Sequence, residues 1–315
     1  MKWRQLGPFK VSAIGLGAMP LSLNHDGVYP DEREAVATVH AALESGITLI
    51  DTADIYCPTW DSTGHNERLI GKAMSTFGGD TSDVVISTKG GIVRGEGETW
   101  GRDGSLSHLR RSVEASIKAL GVEAIDLYQW HRPDRWQVYG DVIESFSVLQ
   151  KEGKIRTIGI SNANVEEIDI AVQVLGEGGL TSVQNQFSPK FRCSHDELEH
   201  CGRLGIAFMP WSPLGGTGGG VRTVGERLAS TQQGQGVGGR NVGERYSVFA
   251  DIGSDHGVSA QQIVLAWELS LGSHVIPIPG ARRPSSIQDS ARAADLTLSE
   301  QELARCAEHV TSRVH

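Results

Sequence analysis

Eight short apolar runs punctuate the chain: AIGLG (13–17), ITLI (47–50), VVIS (84–87), IDLYQ (125–129), IRTIGI (155–160), SVQ (182–184), IAFMP (206–210) and HVIPI (274–278). The segments between them place apolar residues at helical spacing. Within 31–45, Ala35, Val36, Val39, Ala42 and Leu43 form one stripe. Helix-start chemistry opens several of these segments: Asp31-x-x-Glu34, Asn164-x-x-Glu167, Ser194-x-x-Glu197 and Ser259-x-x-Gln262. In each, a side chain is positioned to take an orphan N–H and the residue three on to answer it. Gly46, Gly121, Gly153, Gly176, Gly205 and Gly272 close segments, as a left-handed terminal position favours. Continuous apolar strands alternating with helices predict a parallel sheet covered by helices. Eight such units are the number that closes a (β/α)8 TIM barrel, with an open doubly wound sheet as the alternative.

The pattern predicts one barrel domain over 1–315, with no internal repeat and no linker. Long connections fall at 18–30, 57–66, 90–104 and 211–255, after a strand or an early helix turn, which in a barrel is the C-terminal face where active sites are built. The last of them, Gly-rich over about 212–255, contains the low-complexity stretch 216–250, read as a mobile lid. Its GQGVGG places Gly234, Gly236 and Gly239 in a G-x-G-x-x-G pattern. No apolar strand precedes it, so it is read as a flexible loop and not a dinucleotide fingerprint.

Composition narrows the function. A formal charge of −9 and a pI near 5.7 argue against a general nucleic-acid or acidic-membrane surface. The four cysteines, Cys57, Cys193, Cys201 and Cys306, include no C-x-x-C pair, and the histidines no ligand spacing, so no metal is expected. They read as free thiols in a reducing compartment. MKWRQLGPFK lacks the apolar core of a signal peptide, and no apolar stretch is long enough to span a bilayer; the expectation is a soluble, cytoplasmic protein.

The polar residues ending the early strands are where chemistry would sit. The second gives Asp51, with Tyr56 just beyond; the third gives Lys89; the fourth gives His131. Singly, each has an ordinary structural explanation. Together they form a complementary set: a lysine that lowers a phenol's pKa, a carboxylate that fixes the lysine, and an imidazole that can hydrogen-bond a carbonyl oxygen.

At this point the sequence resembles the aldo-keto reductases, barrel oxidoreductases that use NADPH or NADH. The likeness runs through RQLGPFKVSAIGLGAM (4–19), LIDTADIY, ISTKGG, DLYQWHRPD, GISN, VQNQFSP, PWSPLGG and PIPGARRPSSIQDSARA, nearly the whole chain. It implies an N-terminal hairpin, Tyr56 as general acid, Lys89 and Asp51 tuning it, and His131 orienting a carbonyl substrate. It further implies that Ser161, Asn162 and Gln184 bind the nicotinamide carboxamide and that Trp211 stacks on the ring. Ser212, Leu214 and Gly280 would complete the cofactor cleft.

The phosphate end departs from the common family pattern, which has Lys-Ser at Gly280-Ala281, an Arg near Ser286 and an Asn at Ser290. Arg282 and Arg283 would supply the charge for an adenosine 2′-phosphate, favouring NADPH over NADH, and Gln288 would contact the adenosine. The insert after Tyr56 is longer than usual. Trp60, Cys57 and Trp100 are therefore candidates to line the substrate mouth, and Trp130 faces either core or mouth. Two other functions fit parts of the pattern: a nucleotide-binding regulatory subunit of the channel-associated type, and a Schiff-base aldolase with Lys89 as nucleophile. The substrate and the oligomeric state are not written in the sequence.

Overall fold

The computed structural model describes residues 1–24, 27–215 and 246–311. Strands β1 (Trp3–Leu6) and β2 (Phe9–Ser12) pair as an antiparallel hairpin. Strands β3 (Leu16–Gly17), β4 (Leu49–Asp51) and β5 (Val85–Gly90) then begin a parallel sheet. A second hairpin follows, β6 (Ile92–Gly95) with β7 (Thr99–Arg102). Strands β8 (Ile125–Trp130), β9 (Ile155–Ser161), β10 (Leu180–Gln184) and β11 (Ala207–Phe208) complete a seven-stranded sheet in the order β3-β4-β5-β8-β9-β10-β11.

The eighth apolar run, 274–278, forms no regular strand, yet it closes the barrel. On one side Ile276 N donates to Phe208 O at 2.9 Å and Phe208 N to His274 O at 2.8 Å. On the other, Gly15 N donates to Pro277 O and Gly17 N to Pro279 O, at 2.9 and 3.0 Å. Residues alternate between the two sides, and those facing β3 are prolines, which have no N–H to return. Only single bridges, Phe208 to Val275 and Gly17 to Gly280, therefore mark the seam of a (β/α)8 barrel.

The two-residue period of the strands sorts their side chains. Ile50, Ile86, Tyr128, Trp130, Ile158, Ile160, Val183 and Phe208 point outward into the core shared with the helices. Leu49, Val85, Leu127, Ala207 and Ile276 point inward and pack with Leu6 and Val11 of the first hairpin. The hairpin thus plugs the bottom of the barrel. Two residues further along the inward rows stand Asp51, Ser87 and Gln129; two further again stand Lys89 and His131. The apolar floor gives way to a polar ceiling within one side-chain layer.

Helix starts mostly follow the sequence reading. Asp31 accepts from Glu34 N at 2.8 Å, Ser259 from Gln262 N at 3.2 Å, and Asn164 with Glu167 forms a reciprocal box. Ser194 does not cap: its backbone, φ −104° and ψ 28°, is not extended, and its side chain makes no cap bond. Gly46, Gly121, Gly153, Gly176 and Gly205 have positive φ; Gly272 does not, because the helix Ala260–Ser270 passes into a right-handed Leu271. The long Gly-rich loop is shorter than the sequence suggested, since the helix Ser247–His256 occupies its end. The rest of that stretch, with Gly234, Gly236 and Gly239, lies outside the described residues. The 90–104 connection is also not irregular, as β6 and β7 lie in it. Among the described residues no helix is long and apolar enough to cross a membrane, and no cluster of three or more His, Cys, Asp or Glu side chains could hold a metal ion.

Candidate active site

The barrel register brings Asp51, Tyr56, Lys89 and His131 together at the C-terminal end of the sheet. Lys89 is fully buried, and its ammonium donates to Asp51 Oδ2 at 2.5 Å, to Thr52 O at 2.8 Å and to Tyr56 Oη at 3.4 Å. An ammonium has no further proton to donate. Burial is the strongest single influence on Lys89 and acts downward, but Asp51 and Tyr56 together hold it above its ordinary value. A lysine kept charged in this way is no amine nucleophile, which removes the Schiff-base reading.

Burial pushes the Tyr56 phenol above its ordinary range, and the adjacent Lys89 charge draws it back only in part. The sequence led us to expect a net lowering; desolvation of the phenolate outweighs the lysine. The His131 ring meets Tyr56 edge-on, with centroids 5.6 Å apart and planes at 84°. Burial, then the charges of Lys89 and Arg132, hold His131 well below its usual value, so it is neutral near pH 7.

A supporting layer adds two residues the sequence reading left out, Ser87 and Gln129. Asp51 Oδ1 accepts from Ser87 Oγ at 2.9 Å, Gln129 Nε2 at 3.2 Å and Gln184 Nε2 at 2.9 Å. Gln129 also donates to Ser87 Oγ at 2.7 Å. Polar residues inside otherwise apolar strands were the available signal. Arg94 was missed as well. Nearly buried in β6, it donates to Cys57 O at 2.5 Å and to Cys57 Sγ at 3.0 Å, pairs with Glu98, and lies 4.8 Å over the Trp100 ring.

A cleft of about 1410 Å³ runs across the barrel mouth from Tyr56 and His131 to Arg282 and Arg283. Ser161, Asn162, Gln184, Trp211, Ser212, Leu214 and Gly280 all line it. Asn162, held at φ +60°, donates from its backbone to Gln184 O at 3.0 Å and from Nδ2 to His131 O and Ser161 Oγ, both at 3.0 Å. Ser161 Oγ donates to Gln184 O at 2.7 Å. Arg282 donates to Val28 O at 3.1 Å, tying the 18–30 connection to the rim.

Three candidates, Gln288, Trp60 and Cys57, fall elsewhere. Gln288 lines a separate small cavity with Ser45, Ala291, Arg292 and Asp295. In the helix Pro284–Arg292, Ser286 faces the cleft, and a residue two positions on is turned about 200° away. Trp60 is 38% exposed and Cys57 is fully buried, and neither lines the cleft, whereas Trp100 does. Trp130 is buried against Tyr139, with ring centroids 4.8 Å apart, and belongs to the core.

The cleft is larger than the roughly 300–1,000 Å³ of a typical small-ligand pocket, giving room for a dinucleotide and a substrate together. Amide and hydroxyl groups and an indole lie toward one end and arginines at the other. That donor set fits a nicotinamide dinucleotide.

Comparison with known proteins agrees with this geometry. The sequence profile of the aldo/keto reductase family matches residues 13–311. An uncharacterized oxidoreductase of Schizosaccharomyces pombe is 32% identical over 307 residues, covering 96% of this chain and 88% of that protein. The 6-dehydroglucose reductase of Novosphingobium aromaticivorans is 31% identical over 307 residues, covering 95% and 92%. The holo structure of an aldo-keto reductase from Bacillus halodurans superposes with a TM-score of 0.78 at 25% identity, covering all of this chain and 98% of its own. The chain belongs to the aldo/keto reductase family and is an oxidoreductase.

Proposed function

We propose that the protein reduces an aldehyde or ketone to the alcohol with NADPH, Tyr56 giving the proton. The observation that carries this reading is the buried contact of the Tyr56 hydroxyl with Lys89, itself locked onto Asp51, at the wall of the shared cleft. The cofactor, when bound, supplies the hydride. Asp51 holds Lys89 charged, and Lys89 in turn stabilises the phenolate left on Tyr56 after it protonates the substrate oxygen. The neutral His131 imidazole presents an N–H to the same oxygen and aims the carbonyl. Asn162, Ser161 and Gln184 hold the carboxamide, Trp211 packs on the ring, and Ser212, Leu214 and Gly280 flank the dinucleotide.

NADPH is favoured over NADH because two arginines stand at the far end of the cleft. Arg283 is exposed and makes no ion pair among the described residues. It is therefore available to a 2′-phosphate, with Arg282 beside it. The test is consumption of NADPH and NADH with a panel of aldehydes, ketones and sugar carbonyls, beside Tyr56→Phe. Turnover lost in the variant while NADPH binding persists supports the reading. Failure of the unmutated protein to reduce any carbonyl while binding nucleotide counts against it.

A further inference from the structure

The cleft carries a second cationic cluster on the substrate side. Ring order around the barrel puts the connections after β5 and β8 across the mouth from the β11–β3 seam that holds Arg282 and Arg283. Arg102, the last residue of β7, and Arg132, next to His131, both line this opposite rim. Lys190, from the connection after β10, lines the cleft as well.

None of the three has an acidic partner among the described residues. Arg102 Nη1 donates to the neutral carbonyl of Pro133 at 2.7 Å, and Arg132 Nη2 to the neutral Asn162 Oδ1 at 3.3 Å. Lys190 stands 5.1 Å over the Phe191 ring. The neighbouring Arg135 differs: Glu167 holds it through two bonds, at 2.8 and 3.1 Å. Burial lowers the Arg132 guanidinium from its ordinary value, and the charges of Arg102 and Arg135 lower it further. Unpaired like charges kept together oppose folding, and here they persist in a chain whose net charge is −9. Most of the N–H donors on both guanidinium forks remain unspent, in the geometry that matches a carboxylate or a phosphate.

We propose that Arg102 and Arg132 bind an anionic group on the substrate, a carboxylate or phosphate monoester a few bonds from the carbonyl that His131 receives. This assigns a substrate class to the reductase reading above and rests on it. The cationic rim also draws such a substrate toward the mouth against the acidic body of the protein.

The experiment compares matched substrates with NADPH: succinic semialdehyde against butanal, and glycolaldehyde phosphate against glycolaldehyde. Each is run on the unmutated protein, Arg102→Gln and Arg132→Gln, with nucleotide affinity measured for all three. Arg102→Gln is the cleaner probe, because Arg132 also touches Asn162. We expect kcat/KM for at least one anionic member to exceed its neutral partner by roughly tenfold or more. That ratio collapses in Arg102→Gln through KM, with nucleotide affinity unchanged, and whichever pair shows it tells carboxylate from phosphate. Neutral members reduced as well as anionic ones, or a ratio untouched by either substitution, overturns the anion site and leaves carbonyl reduction standing. Absence of turnover on all four substrates overturns both.

Discussion

Lys89 and Asp51 form an ion pair of 2.5 Å with both side chains withdrawn from solvent, and the rest of the site is arranged around it. Three donors from Ser87, Gln129 and Gln184 converge on the other carboxylate oxygen. Because these donors hold the carboxylate in place, the lysine's position is fixed by the strands as well as by its own stem.

Asp51→Asn keeps the shape and removes the charge. The lysine is then buried without its partner, and breaking such a pair costs on the order of 3–5 kcal/mol. Chemical denaturation will record the loss, and turnover will fall with it. A variant as stable as the parent would show that the pair is not what holds Lys89.

His131 predicts a pH dependence. Its folded-state pKa lies well below the ordinary value near 6.5, so below that value the unfolded chain binds a proton that the folded chain does not. Stability is therefore whole above about pH 6.5 and is lost as pH falls below it, by up to about 1.4 kcal/mol per unit for one such group. His65, His108 and His274 shift in the same direction, so the comparison must be made within one background. Urea midpoints at pH 5 and pH 7 should differ less in His131→Gln than in the parent; equal differences would contradict the assignment.

The seam sets a third prediction. A Cβ on Gly17 would lie 2.6 Å from the carbonyl oxygen of Ile278, a backbone atom with no room to turn aside. Gly17→Ala should cost about 1–3 kcal/mol by overpacking and lower the thermal midpoint. An unchanged midpoint would mean that the seam is wider than described.

Arg94 anchors the second hairpin over the mouth through the Cys57 carbonyl and the Trp100 ring. Replacing it by methionine leaves a buried carbonyl unpaired, at about 1–3 kcal/mol. We expect faster proteolysis between 92 and 102 and a higher KM, with nucleotide affinity retained. Unaltered cleavage and kinetics would show the hairpin held by other contacts.

How far these features could be read from the sequence depends on what each one needs. Asp51, Lys89 and His131 are legible because each is a polar residue closing an apolar strand, and the two-residue period puts all three inside once the barrel closes. Ser87 and Gln129 obey the same parity but sit within runs that read simply as strand. Gln288 was misplaced because its direction depends on the phase of its helix, fixed by Pro284 and by which face meets the cleft. The net rise of Tyr56 could not be read at all, since it depends on how much water the fold removes. The eighth strand was legible in its apolar residues, but the prolines among them turned a ladder into two bridges.

Those prolines bear on what the molecule does when the barrel is briefly ajar. Pro277 and Pro279 present carbonyls toward β3 and no donors. If the seam parts, the freed margin of 274–280 offers a visiting strand acceptors alone, and another chain cannot zip onto it in register. That margin of a half-open barrel is thus poorly equipped to recruit a stranger, leaving the N–H groups of Gly15 and Gly17 on the β3 side as the donors it exposes.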